Sequence, residues 1–284
     1  MKSLEGLKSP IRWPGGKSRL VKTLIRYIPD HIIYAEPFAG AAWLYWYKPL
    51  VRVNVLNDID PRLIRFYREL RKLENANDLK QIIKTYGWFY KVSKKTYTRR
   101  IHTAFNWLQH WRTLPSDKFI WSFLALDKFN YASKLNTIGL NYGIIQNKTS
   151  RRYSGIIYLI EHFDEIKMKL KKTKLYSTDY KKILHKFDTP RTFFYLDPPY
   201  YITKEEDAYL SNITGHTPTP EEVIKYASKL KGMVMISYAY RKSIKTFAEE
   251  RGFKAKTVKV KYEMGKNLRD GKASTRRELI LMNY

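Results

Sequence analysis

The sequence contains no cysteine in its 284 residues. A disulfide scaffold, a zinc site held by thiolates and a cysteine nucleophile are therefore excluded. The 6 histidines are scattered, and none is paired with Asp or Glu at the spacing typical of metal ligands. We therefore expect no metal ion in the functional site.

Acidic residues are also scarce. Asp and Glu number 26 against 54 Lys and Arg, which gives a formal net charge of +28. A surface with this excess repels itself unless an anion compensates it, and the usual anionic partners are nucleic acids and acidic membranes. Hydrophobic residues make up 44% of the chain, which is enough for a full core, so intrinsic disorder is excluded.

Long apolar runs are missing. The longest run, from Phe38 to Tyr47, falls short of the roughly 18–20 residues that a membrane helix needs. The N-terminal stretch MKSLEGLKSPIRW lacks the apolar segment of a signal peptide. We expect a cytoplasmic protein with no membrane partner, and nucleic acid becomes the favoured anion.

Hydrophobic patterning in the first 74 residues alternates between helix and strand. Short β-rich runs end at Glu36 and at Asn57-Asp58, and Pro61 opens a helix that Asp60 can cap. This alternation is typical of an α/β fold with parallel strands. The predicted helices of this part cover 15–27, 40–47 and 61–73.

The segment 75–150 differs, because basic and aromatic residues interleave and strand signals fade. We predict a mainly helical insert here, with loops or a hairpin over 136–150. The α/β pattern resumes over 151–284, so the predicted domains are 1–74, 75–150 and 151–284. Predicted strands of the last part cover 173–177, 192–196, 232–237, 253–262 and 277–284. Its predicted helices cover 156–170, a short segment capped by Asp179, one from Pro220, and 241–252.

Two short motifs, EPFAG (36–40) and NDID (57–60), follow the first two strands. Open α/β sheets bind ligands outside the carboxyl ends of their strands, and Gly40 would let the backbone approach a ligand closely. Nucleotide-binding folds hold ribose hydroxyls with a carboxylate about 20 residues after such a glycine. Asp58 lies 18 residues after Gly40, so we assign Asp58 to a ribose and Asp60 to the helix cap. The alternative is that a glycine at a strand–helix junction serves no ligand.

The tetrapeptide Asp197-Pro198-Pro199-Tyr200 follows the strong strand candidate TFFYL. Its two prolines fix an extended turn and withhold two amide donors. Carbonyl and carboxylate acceptors then stand beside an aromatic ring, a combination that suits an exocyclic amino group on a flat base. The alternative is a rigid turn with a core tyrosine.

DPPY, the EPFAG turn and the early WPGGK element (13–17) together resemble the Dam-type DNA adenine-N6 methyltransferases. Their order along the chain is similar to the alpha class of amino-methyltransferases. The resemblance is strong over 11–70 and 192–201, fair over 232–284 and poor across the insert. It implies a Rossmann-like α/β sheet that ends in a hairpin, an inserted mainly helical DNA-recognition domain, and S-adenosylmethionine as cofactor. Double-stranded DNA is the implied substrate in a prokaryotic or viral setting, with a cognate restriction endonuclease as a candidate partner.

The resemblance also implies roles for individual residues. The turn 36–40 would pass under the methionine part of the cofactor, and Asp58 would hold its ribose. Ala42 departs from the family, because a second glycine is usual there. Two interpretations stay open: alanine fits if the helix has already begun at this residue, or alanine weakens cofactor binding. The implied cofactor-binding residues are Trp13, Gly16, Lys17, Glu36, Phe38, Gly40, Asp58 and Asp197.

The residues of DPPY indicate how a methyl group would be transferred. Adenine N6 is a poor nucleophile, because its lone pair is delocalised into the ring. Asp197 and the Pro198 carbonyl can accept its two N–H bonds, so a direct displacement needs neither a metal nor a covalent intermediate. The base must leave the duplex to reach them, and Tyr200 would be its stacking platform. The predicted catalytic residues are Asp197, Pro198, Pro199 and Tyr200.

The insert is expected to contact the DNA, since basic side chains bind phosphates and loop amides read base edges. Further basic runs cover 167–174 and 254–272. Two alternatives stay open, an RNA amino-methyltransferase and a catalytically inactive DNA-binding protein on the same fold. The predicted DNA-binding residues are Lys91, Lys94, Lys95, Arg99, Arg100, Asn136, Asn141, Arg151 and Arg152.

Overall fold

The chain forms two compact units. Unit 1 comprises Met1–Gly16, Gly40–Leu50 and Asp60–Leu175, and unit 2 comprises Lys17–Ala39, Val51–Ile59 and Tyr176–Tyr284. The predicted boundaries of the recognition insert, 75–150, stay a prediction. For 151–153, 261–262 and 274–275, only the backbone is described. The computed structural model describes residues 4–13, 17–87, 92–130, 135–136, 138–140, 151–199, 217–262 and 274–284.

Seven strands of the described chain form one sheet: β1 (Ile33–Glu36), β2 (Val53–Asn57), β3 (Thr173–Tyr176), β4 (Thr192–Leu196), β5 (Met233–Ala239), β6 (Lys254–Tyr262) and β7 (Ser274–Met282). Their order is β3-β2-β1-β4-β5-β7-β6. β1 is parallel to β2 and β4, and β4 is parallel to β5. β7 is antiparallel to β5 and to the edge strand β6. This order confirms the predicted α/β, Rossmann-like sheet with a terminal hairpin.

The helices of the described chain precede or separate these strands along the sequence. Within these ranges no helix combines the length and the apolar character needed to cross a membrane. A 3₁₀ turn, Ile25–Tyr27, follows the first helix. The helices are α1 (Val21–Leu24), α2 (Trp43–Tyr47), α3 (Pro61–Lys72), α4 (Ala76–Tyr86), α5 (Lys94–Gln109), α6 (Ser116–Phe129), α7 (Arg151–Glu161), α8 (Phe163–Lys171), α9 (Tyr180–Phe187), α10 (Pro220–Ala227) and α11 (Lys242–Glu249).

The central strands of unit 2 are buried on both faces. All five residues of β4 are buried, which explains why TFFYL is a continuous apolar run rather than an alternating one. The core of unit 2 joins residues of β1, β2, β4, β5 and β7 to the apolar faces of α9, α10 and α11. This core fixes the central strands, whose carboxyl ends carry the predicted motifs.

The predicted starts of three helices are confirmed. Asp60 accepts a hydrogen bond from the amide of Arg62 at 2.9 Å before α3. Asp179 accepts from the amide of Lys181 at 2.8 Å before α9, and α10 begins at Pro220. These side chains satisfy amides that the first turn of a helix leaves unpaired.

Two predicted helices are shorter or divided. In the described part of 15–27, the helix begins only at Val21. Before it, the Leu20 amide donates to the Lys17 carbonyl at 2.9 Å and forms a separate turn. The segment 156–170 is two helices, α7 and α8, which are separated at His162, where φ is −111° and ψ is 22°. Apolar residues keep a helical spacing across this break, so periodicity alone did not reveal it.

Helix α6 is the buried helix of unit 1. All its residues from Phe119 to Phe129 are buried, and the ring of Phe123 stacks on Phe66 of α3 with 4.3 Å between centroids. α3, α4, α5 and α7 pack around it. A helix without a polar face is stable in water only when neighbouring helices cover it, as here.

Helix α6 ends in a buried ion pair. Asp127 Oδ2 and Lys128 Nζ are 2.9 Å apart. Asp127 Oδ1 accepts from the Arg12 amide at 2.8 Å, and Lys128 Nζ donates to the Pro10 carbonyl at 2.8 Å. Burial raises the pKa of Asp127 and lowers that of Lys128, while each charge opposes the shift of the other. The pair therefore holds the segment before Trp13 against α6.

We expect Lys128→Met to lower the free energy of unfolding by about 3–5 kcal/mol, because it leaves the buried Asp127 without its cation. The double variant Lys128→Met/Asp127→Asn removes that charge and keeps an acceptor for Arg12. It is expected to unfold at a higher urea concentration than the single variant, as followed by circular dichroism. Equal midpoints for the two variants would contradict a charged pair.

Candidate active site

Three acidic residues lie at one edge of the sheet in unit 2. Glu36 is the last residue of β1, Asp58 follows β2, and Asp197 follows β4. These strands are parallel neighbours, so their carboxyl ends meet at the edge where open α/β sheets bind ligands. Glu36 is 1% exposed and Asp58 is 9% exposed. No group of three or more His, Cys, Asp or Glu in the described part of the chain could hold a metal ion.

Asp197 is held by two side chains through one carboxylate oxygen. Lys17 Nζ lies 2.7 Å from Oδ1, and the Ser237 hydroxyl donates to the same oxygen at 2.9 Å. The side chains of Lys17 and Asp197 are 5% and 20% exposed, so solvent screens their attraction less than that of a surface pair. The two partners together fix the orientation of the carboxylate.

A tyrosine extends this arrangement into the sheet. The Tyr195 hydroxyl is 3.0 Å from Ser237 Oγ. Because Ser237 has a single hydroxyl proton and donates it to Asp197, Tyr195 is the donor to Ser237. Burial first, and the charge of Asp197 second, raise the pKa of Tyr195 well above its ordinary value, so its hydroxyl stays protonated.

Glu36 has a similar partner. The Tyr34 hydroxyl donates to Glu36 Oε1 at 2.5 Å, and both residues are buried. A carboxylate loses its hydration on burial, and this hydrogen bond replaces part of it. A tyrosine thus stands two residues before the acid at the carboxyl ends of both β1 and β4. Residues two apart on a strand share a face, so each tyrosine lies on the same side of the sheet as its acid. Sequence reasoning gave Tyr34, Tyr195 and Ser237 no role, although the repeated spacing was a usable signal.

Asn57 fixes the shape of the neighbouring turns. Its side-chain amide donates to the carbonyls of Pro37 at 2.8 Å and Thr178 at 3.0 Å. Its Oδ1 accepts from the Thr178 amide at 3.0 Å, and its backbone carbonyl accepts from Ala39 at 2.8 Å. Asn57 thus ties the segment 37–39 to the end of β2, where Asp58 follows. This positioning role was not predicted.

Phe38 lies in the same turn and is half-buried. Its ring centroid is 4.8 Å from that of Tyr180, the first residue of α9. Burial is the main cause that raises the pKa of Tyr180, so this ring stays neutral. The predicted cofactor-binding residue Phe38 is therefore one member of an aromatic pair at this edge.

In unit 1, Gly40 and Trp13 approach each other closely. Gly40 has φ +45°, a left-handed conformation that favours glycine, and a Cβ there would lie 2.9 Å from Trp13 Cδ1. Any larger residue would have to displace the indole. The two motifs that carry these residues, WPGGK and EPFAG, therefore depend on each other.

Ala42 adopts a conformation that usually belongs to glycine. Its φ is +49° and its ψ is 42°, and it is the one non-glycine residue with a positive φ in the described part of the chain. The helix begins after it, at Trp43, so the condition under which alanine was expected to fit, a helix already begun at this residue, is not met, and the effect of Ala42 on cofactor binding stays a prediction. For an L-residue this conformation costs roughly 1–2 kcal/mol.

The predicted DNA-contacting residues that the structure describes belong to unit 1. Lys94, Lys95 and Arg99 are exposed on α5, and Arg100 and Asn136 are half-buried. In unit 2, Pro198 is buried and Pro199 is half-buried. Several predicted residues lie outside the described ranges: Gly16, Lys91, Asn141, Tyr200 and the side chains of Arg151 and Arg152. The functional roles of all these residues stay predictions.

Comparison with known proteins finds relatives along most of the chain. The model of the D12 class N6 adenine-specific DNA methyltransferases matches residues 13–264. The DNA N-6-adenine-methyltransferase of Escherichia phage P1 is 21% identical over 249 residues, which cover 86% of this chain and 30% of that protein. The DNA adenine methylase of Vibrio cholerae is 38% identical over 61 residues, 22% of each chain.

A viral protein matches over more of its own length. The Type II methyltransferase M.CviBI of Paramecium bursaria Chlorella virus NC1A is 27% identical over 219 residues, which cover 72% of this chain and 78% of that protein. The chain spans less than a third of the phage and Vibrio relatives, at 30% and 22% of their lengths.

We expect Ala42→Gly to be more stable than Ala41→Gly by about 1–2 kcal/mol of unfolding free energy. Both variants lose a buried methyl group and gain the same freedom in the unfolded chain, but only Ala42→Gly relieves a left-handed alanine. Urea titration of the two variants measures the difference. Identical midpoints would show that Ala42 is not strained.

Proposed function

Because the chain belongs to the D12 class N6 adenine-specific DNA methyltransferase family, we propose that it transfers a methyl group from S-adenosylmethionine to N6 of adenine. Its substrate would be a specific site in duplex DNA. One observation carries the proposal: the carboxylate of DPPY is held by Lys17 and Ser237 at the carboxyl end of β4. A fixed acceptor of this kind suits an exocyclic amine on a planar base.

The residues present fit S-adenosylmethionine by their chemistry. The buried carboxylates Glu36 and Asp58 suit its ammonium and its ribose hydroxyls. In unit 1, Gly40 leaves room for the Trp13 indole, which a Cβ would displace, and its bare backbone would let a ligand approach closely. We assign the remaining contacts to Trp13 and Phe38. When bound, the cofactor supplies an electrophilic methyl group on a sulfonium, which an activated amine can attack directly.

The residues of DPPY would prepare the amine. Both described partners of Asp197 bind its Oδ1, so we assign Oδ2 to accept one N–H of adenine N6. The Pro198 carbonyl would accept the second N–H. The two acceptors would localise the lone pair on the nitrogen, and Asp197 would take up the proton that N6 loses on methylation. Catalysis then comes from positioning and electrostatics.

Adenine must leave the duplex to reach Asp197. We assign Tyr200 as the ring on which the extruded base stacks, an interaction typically worth about 1–3 kcal/mol. Exposed basic residues of α5 would bind the phosphates. Because the Chlorella virus relative is named a Type II methyltransferase, a restriction endonuclease for the same site is the proposed partner, in a prokaryotic or virus-infected cytoplasm.

We expect Asp197→Ala to abolish methyl transfer and to leave DNA binding intact, because it removes an acceptor for N6 and no phosphate contact. Radiolabelled methyl incorporation into duplex DNA and fluorescence anisotropy measure the two properties. Asp30→Asn is the matched control, since Asp30 is an exposed acid of the same unit, and it should keep full activity.

The outcomes separate the competing functions. Equal incorporation by Asp197→Ala and the wild type would refute the assignment of Asp197. Incorporation into RNA in preference to DNA would favour the RNA amino-methyltransferase. A wild-type protein that binds duplex DNA without incorporating any label would be the inactive DNA-binding protein.

We expect DNA affinity to fall with salt along a log–log slope near about −5, which corresponds to roughly six phosphate contacts. Lys95→Ala/Arg99→Ala removes two exposed charges spaced four apart on α5 and should reduce the slope to about −3. Lys80→Ala/Lys84→Ala is the matched control, with the same spacing on α4, and should leave the slope unchanged. Equal slopes for both double variants would exclude α5 from the DNA interface.

A further inference from the structure

Two like charges oppose each other across the terminal hairpin of unit 2. Lys259 of β6 is in register with Arg277 of β7, and both side chains are exposed. Residues in register on antiparallel strands project from the same face, and like charges there destabilise the sheet. Within the described part of the chain, neither residue forms an ion pair. The hairpin therefore keeps a repulsion that an acidic residue at either position would remove.

Arg277 is held in place by an aromatic ring. Its Cζ lies 4.2 Å from the centroid of Tyr240, and its carbonyl accepts from the Tyr240 amide at 2.9 Å. A guanidinium on an aromatic face is oriented with its N–H groups at the rim, where they can donate to an anion. Arg241 and Lys242, which follow Tyr240 in the chain, are also exposed. The local charge is therefore strongly positive.

This positive cluster lies at the same edge of the sheet as Asp197. Ser237, which donates to Asp197, is in register with Ile280 of β7. Arg277 lies three positions further toward the carboxyl edge, which is about 10 Å along the strand. Because three is an odd number, Arg277 projects from the face opposite to Ser237 and shares only the rim of this edge with Asp197. A duplex that spans the rim would place a phosphate at the cluster while a base lies at Asp197.

We propose that Lys259 and Arg277 form a phosphate-binding pair that holds the DNA backbone beside the adenine to be methylated. The inference rests on the proposed function. It assigns a specific pair on unit 2, where the sequence indicated only the basic run 254–272, whereas the individual DNA-binding residues predicted from sequence all fall between 91 and 152. A phosphate between an ammonium and a guanidinium makes charge-assisted hydrogen bonds with both. It would also relieve their repulsion in the DNA complex.

Lys259→Glu is the decisive variant, because it turns repulsion across the hairpin into attraction while it removes a phosphate contact. We expect the Kd for a duplex containing the methylation site to rise at least about tenfold at 0.1 M salt, the effect of one contact with a log–log slope of about −0.9. We expect the Tm to rise by about 1–3 °C. A residue that only stabilised the hairpin would give a lower Tm.

Lys254→Glu is the matched control. Lys254 is exposed on the same strand but lies about 17 Å from Lys259, beyond the Debye length of about 10 Å at 0.1 M salt. Its Kd should match that of the wild type, and Lys259→Arg should also retain wild-type affinity. Arg277→Gln provides a second, neutral test of the pair, in case Lys259→Glu does not fold.

The result that would overturn this inference differs from the one that would overturn the proposed function. If the wild type methylates DNA, and both Lys259→Glu and Arg277→Gln bind DNA as tightly as Lys254→Glu, the phosphate-binding pair is refuted alone. If the wild type methylates no DNA, the proposed function fails first. Weakened binding in both pair variants, with methyl incorporation restored at saturating DNA, supports the pair.

Discussion

A carboxylate inside a protein keeps its charge only where donors or a cation replace the water it has lost, and this requirement organises the edge of the sheet. Tyr34 serves Glu36 from the same strand, while Lys17 and Ser237 serve Asp197. Tyr34 needs only the alternation within β1, and Lys17 reaches Asp197 from the segment before α1, whereas Ser237 reaches it through the register of β4 and β5. A slip of one residue between β4 and β5 would turn Ser237 to the opposite face, so this contact depends on the packing of the central sheet.

The excess of basic residues is not a uniform surface property. Some lysines are internal: Lys169 is fully buried and donates to the carbonyls of Leu4, Trp46 and Lys48 at 3.0, 2.8 and 2.7 Å. This lysine stabilises a junction of unit 1 and cannot contact DNA. The charges of α5 and of the hairpin are exposed, and on the proposed function they are the ones that would contact DNA. Net charge therefore indicated nucleic acid as the class of partner, which agrees with the proposed function, whereas burial decides which residues can meet it.

Local patterns in the sequence predicted most of the fold, because strand composition, helix caps and the ends of parallel strands are local properties. TFFYL, the Asp60 cap and the acids at the strand ends are all of this kind. The hydrogen bonds from Tyr195 to Ser237 and from Ser237 to Asp197 connect two strands. They depend on how β4 and β5 are aligned with each other, which local sequence patterns do not show. The left-handed backbone of Ala42 was not predicted either, since alanine ordinarily favours the helical region, although the glycine that the family usually has here was a usable signal.

Ala42 and the Lys259–Arg277 pair break local rules in the same way: each costs stability in the free protein, and each adjoins a segment assigned to a ligand. Proteins tolerate such violations at functional sites when the surrounding structure enforces them. A ligand that binds only the folded state then raises stability by mass action. On the proposed function, the cofactor and DNA would stabilise the folded protein. Without them, the protein is expected to be less stable than variants in which the strain at Ala42 or the repulsion between Lys259 and Arg277 is removed. On that basis, selection for binding, rather than for stability of the free chain, would account for both features.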